Sequence, residues 1–73
     1  MTIATSTIRI DIDKLPEHLD RSRPKVVAEV VEAALREVGV KADCSDLFYH
    51  VKIDLPTAQL AAASAVLVEL QLI

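Results

Sequence analysis

TAQLAAASAVLVELQLI, residues 57–73, decides the fold. From Gln59 to Leu70 the stretch is rich in alanine and leucine, and Thr57 can cap it, so a helix is the natural reading. Its last part, Val68-Glu69-Leu70-Gln71-Leu72, also alternates apolar and polar residues as a strand does. No glycine or proline separates the two halves, which favours the continuous helix. A long helix closes the chain as β-α-β-β-α. A terminal strand would make it β-α-β-β-α-β, the ferredoxin-like order. Either way the expected class is α+β: one domain, residues 1–73, with a small sheet of about two to four strands and two helices on one face.

Working outward, Leu47 to Asp54 reads as a strand. Leu47, Tyr49, Val51 and Ile53 fall on one face, and Phe48, His50, Lys52 and Asp54 on the other; Pro56 blocks continuation. Cys44-Ser45-Asp46 reads as a turn, with a short strand possible at Val40–Asp43. Thr7 to Asp13 alternates strictly: Ile8, Ile10 and Ile12 inward, Arg9, Asp11 and Asp13 outward, with Ile3 a possible extension. Between them Ser22 to Val38 is a helix, with Ser22 as N-cap and Pro24 in the first turn, where its missing N–H costs nothing. Val27, Val30, Val31, Ala34, Leu35 and Val38 form its apolar face. Lys25, Glu29, Glu32 and Arg36 form the opposite one, with Glu32 and Arg36 spaced for an ion pair. Gly39, the only glycine, supplies the left-handed residue after the helix, and Val40 closes the cap. Leu15 and Leu19 anchor the polar connection Lys14–Arg23.

Composition narrows the function classes. At 73 residues the chain buries only about 60% of its unfolded surface, so its stability is marginal and a partner is useful. Cys44 is the only cysteine, so no disulfide supports the chain, and with His18 and His50 it falls short of a structural zinc set. No cofactor is implied. One glycine excludes the glycine-rich phosphate loops. A net charge of −3 argues against a general nucleic-acid surface. No basic, apolar leader is legible in residues 1–13, and Leu60–Ile73 is too short and too polar to cross a bilayer, so a cytoplasmic protein without membrane contact is expected. A free thiol agrees with that compartment.

Three function classes remain. The first is a protein-interaction module: an adaptor, subunit or inhibitor of a larger protein. Its partner-binding sheet face would carry Phe48, His50, Lys52 and Arg9, with Phe48 as an apolar anchor on a charged surface. The C-terminal helix is apolar around most of its circumference, which suggests burial on several sides. Leu60, Ala63, Leu67 and Leu70 are therefore expected to join copies into a homo-oligomer. The second class is a nucleic-acid-binding regulator. Thr7-Ile8-Arg9-Ile10 resembles the paired strands of ribbon-helix-helix repressors. The chain departs from that family at Lys14–Arg23, too short and proline-bounded for the first helix, and at Asp11 and Asp13, which would face phosphates. The third is a small enzyme using His50 with Asp11 or Asp54, which requires a concavity around His50. Asp11, Asp13, Asp54 and His50 as a metal site rank below the simple reading of a solvated, mixed-charge face.

Overall fold

The computed structural model describes residues 4–73. In order, the elements are β1 (Thr5–Asp11), α1 (Pro24–Glu37), β2 (Asp43–Asp46), β3 (His50–Pro56) and α2 (Leu60–Glu69), with single 3₁₀ turns at Ile12–Lys14 and Thr57–Gln59. The order is β-α-β-β-α. The sheet runs β1-β3-β2, and both neighbours are antiparallel to the central β3. β1 and β2 are therefore parallel to each other, and α1 carries the chain across from one edge to the other.

The alternation read from the sequence sets the two sides of the sheet. Ile8 lies opposite Ile53 and Ile10 opposite Val51, facing the helices. There Val51, Ile53 and Leu55 meet Val27, Val31 and Leu35 of α1 and Ala63, Val66 and Leu67 of α2 in one core. Leu15 and Leu19 are buried in it, as is Val40 after the helix. Burying each large aliphatic contributes about 1.5–3 kcal/mol, and the buried core is built from aliphatic side chains alone.

The end of α2 settles the 57–73 reading. Gln71 has φ +62°. Its N–H donates to the Val68 carbonyl at 3.0 Å, and the Leu72 N–H reaches back to the Leu67 carbonyl at 2.8 Å. This is a Schellman closure with an apolar residue docked behind it, and Leu72 is buried. The alternation at 68–72 thus belongs to the last helical turn and its cap, and no terminal strand forms. α1 ends the same way. Gly39 has φ +86°, its N–H donates to Arg36 O and the Val40 N–H to Leu35 O, both at 3.0 Å.

Several expectations need correction. Ser22 is not the N-cap. Arg23 occupies that place without a side-chain cap bond, while the Ser22 N–H is held by the Asp20 carboxylate at 2.9 Å. Val30 and Val38 point to solvent rather than inward, because the valine-rich helix buries the stripe Val27, Ala28, Val31 and Leu35. Cys44, Ser45 and Asp46 form β2 rather than a turn. The turn falls at Leu47–Tyr49, so the next strand starts at His50 and not at Leu47. The strand read from Thr7 begins at Thr5 and stops at Asp11. Ile3 lies outside the described residues.

Candidate interaction surface

Both helices cover one face of the sheet, so the other face and the β2–β3 hairpin tip project freely. On the outer face Arg9 sits directly opposite Lys52, and Thr7 opposite Asp54. Ser45 continues the first row and Asp43 the second. Like charges thus face each other in both rows, an arrangement that weakens a sheet unless something relieves it. The acidic row is relieved. Thr7 Oγ1 donates to Asp54 Oδ1 at 2.6 Å, Lys52 Nζ lies 3.3 Å from Asp54, and Arg36 reaches Asp43 at 3.2 Å. The Thr7 hydrogen bond, with Lys52 beside it, holds the Asp54 carboxyl below the usual range. The cationic row keeps one member free: Arg9 forms no ion pair among the described residues.

At the far end of this face His50 pairs across the sheet with Asp11. They are not joined. Asp11 lies 3.9 Å from Lys14 instead, and His50 Nε2 is sealed from solvent with no hydrogen-bond partner among the described residues. Asp54 is two positions further along the same side of β3 and is engaged by Thr7 and Lys52. A concavity of about 350 Å³ lies elsewhere, lined by Arg36, Gly39, Val40, Lys41 and Asp43. His50 is not part of it. Among the described residues no group of three or more His, Cys, Asp or Glu side chains is placed to share a metal ion, and no helix is long and apolar enough to cross a membrane.

The hairpin tip is a different kind of surface. Leu47 N–H donates to the His50 carbonyl at 2.8 Å, which leaves Phe48 and Tyr49 as a two-residue loop; Ile12 N–H donates to the Tyr49 carbonyl at 3.0 Å. The base of the tip is therefore tied to the end of β1. Neither loop residue has positive φ, so the turn is not one of the primed types that favour Asn-Gly. Phe48 is 93% and Tyr49 78% exposed, with Leu47 beside them also exposed. The two ring centroids lie 5.8 Å apart, with the planes tilted by 48°. Sequence reading placed Phe48 on the sheet face and Tyr49 inward. Both rings instead leave the molecule at its end, because the turn consumes the positions that alternation had assigned to a strand. Arg9, Lys52 and His50 do lie on the outer face.

The C-terminal helix offers less than its apolarity suggested. Ala63 and Leu67 are wholly buried inside the chain, and Leu60 and Leu70 pack partly against the same core. Ala63 and Leu67 therefore lie inside the chain, while Leu60 and Leu70 keep part of their surface exposed. The apolar residues that α2 leaves outside are Ala61, Ala62, Ala65 and Val68.

Cys44, on β2, is turned toward the core. Burial, reinforced by the nearby Glu32 and Asp43 carboxylates, pushes its thiol up to about 12. It is no nucleophile at neutral pH. Glu32 also accepts the Cys44 backbone N–H at 2.9 Å, and Arg36 Nε donates to the Ala42 carbonyl at 3.2 Å.

No protein-family model, curated protein or solved structure matches the chain.

Proposed function

We propose that the protein is a small protein–protein interaction module, an adaptor, subunit or inhibitor, that grips a larger protein with its β2–β3 hairpin tip. The supporting observation is the Phe48–Tyr49 pair: the chain's only aromatic rings stand in solvent on a tip whose backbone is tied down on both sides. Aromatic side chains at exposed, pre-positioned sites are the usual anchors of protein interfaces, since little conformational freedom is left to lose on docking. The two rows of opposite sign on the outer face, Arg9 with Lys52 and Asp43 with Asp54, extend the contact. They suit a partner surface carrying both signs better than a uniform polyanion. A free cysteine held as a thiol agrees with work in the reducing cytoplasm.

The test is cross-linked capture from cells of the source, comparing the native chain with a Phe48→Ser/Tyr49→Ser variant of unchanged circular dichroism. A specific protein captured by the native chain and at least tenfold depleted with the variant supports the reading. Equal capture by both would remove the tip from the interface.

A further inference from the structure

The two edges of the sheet are treated differently. β2 is short, and α1 closes its outer side. Glu32 takes the Cys44 N–H and Arg36 donates to the Ala42 carbonyl, so a strand approaching this edge finds its first partners occupied. Such blocking is how native sheets avoid joining at an edge.

β1 has no such cover among the described residues. Antiparallel pairs alternate between those that exchange backbone hydrogen bonds and those that do not. Thr57 N–H donates to Ala4 O, and Ile12 N–H to Tyr49 O, which fixes the phase. In that register Ser6, Ile8 and Ile10 bond to β3. The N–H and C=O groups of Thr5, Thr7, Arg9 and Asp11 point away from it, toward the open edge. No proline or bulge interrupts the strand.

We infer that a second copy of this chain occupies this edge, pairing β1 with β1 antiparallel about a two-fold axis at Ile10. The segment Ile8-Arg9-Ile10-Asp11-Ile12 is its own complement when reversed. Centred on Ile10, the pairing places each Arg9 opposite the other copy's Asp11. These are the residues whose backbone groups are free, so the charge pairs coincide with hydrogen-bonded pairs. On the helix side Ile10 meets Ile10, and each Ile8 approaches Ile12 at the start of the 3₁₀ turn that closes the seam; Ile8 and Ile12 are only partly covered within one chain. Arg9, which faces Lys52 and has no ion pair in the monomer, gains a carboxylate. Shifting the centre to Arg9 would set Arg9 against Arg9, which like-charge repulsion disfavours. The 3₁₀ turn after Asp11 ends the seam, so the contact is short and the dimer depends on concentration. The result is one continuous sheet with both helix layers on the same side. This pairing does not depend on the hairpin tip.

Mass measured by light scattering during size exclusion, over a concentration series to about 1 mM, tests it on three chains. The wild type is expected to move from 8.0 kDa toward twice that mass. Arg9→Asp sets carboxylate against carboxylate and should stay at the monomer mass, with unchanged circular dichroism because the side chain is exposed. Arg9→Asp/Asp11→Arg exchanges the charges and should restore the dimer. A wild type that remains monomeric throughout, an Arg9→Asp chain that still dimerises, or a double variant that fails to recover would each overturn the pairing.

Discussion

Cys44 shows how a single side chain can be mistaken for chemistry. Sequence alone puts Asp43 and Asp46 beside it and so points to a raised thiol pKa; in the fold burial does most of the work, with Glu32 and Asp43 adding to it. The thiol stays protonated in the native state up to about 12, against 9.0 for an ordinary thiol. Because the folded value lies above the unfolded one, this contribution to stability is complete below pH 9. It is lost as pH rises through the window between the two values, where the unfolded chain ionises first. Iodoacetamide at pH 8 is therefore expected to leave native Cys44 largely unmodified and to alkylate it fully in denaturant, as read by intact mass. Equal rates in both states would mean that the thiol is exposed and activated. His50 makes the matching point. A histidine across from an aspartate suggested an acid–base pair, but Asp11 lies by Lys14 and Nε2 has no partner.

The elements end where their caps put them. Gly39 and Gln71 both hold left-handed backbone, one with the residue type suited to it and one without. Gly39→Ala meets no neighbouring atom within 4 Å, so its cost is conformational alone, about 1–2 kcal/mol. Gln71→Gly removes the same kind of strain and should stabilise by about 1 kcal/mol. Urea unfolding of the two variants checks both signs, and a stabilised Gly39→Ala would show that the cap is not formed. The first closure was legible in the sequence because a lone glycine followed a periodic helix. The second was not, because glutamine carries no such signal and the Val68–Leu72 alternation competed with it. The strand–turn boundary at Leu47–His50 was hidden for a related reason. Its turn contains no Gly, Pro, Asn or Asp, so alternation appeared to run through it. The strand and helix periodicities placed Ile10, Val51, Ile53, Val27, Val31 and Leu35 in the core, where they are buried, and also assigned inward Val30, Val38, Leu47 and Tyr49, which are exposed. They said nothing of which edge α1 would seal, since that depends on Glu32 and Arg36 reaching across to a strand placed by tertiary packing.

For the molecule as a whole, every large buried side chain among the described residues belongs to one core between the sheet and the helices. The chain's only aromatic rings stand outside it. In a small domain of marginal stability, two rings left in water contribute almost nothing to the native state. Under the proposed function a partner covers them. The apolar C-terminal segment gives Ala63, Val66, Leu67 and Leu72 to the core, and the two most exposed large apolar side chains among the described residues are Phe48 and Tyr49 at the tip. The most direct measurement is the thermal unfolding of the Phe48→Ser/Tyr49→Ser variant beside the wild type at equal concentration. A change in stability of no more than about 0.5 kcal/mol is the expected result and leaves the rings free for a partner. A loss of about 2 kcal/mol or more would mean that the rings hold the fold together, and would contradict the reading of the tip as a binding surface.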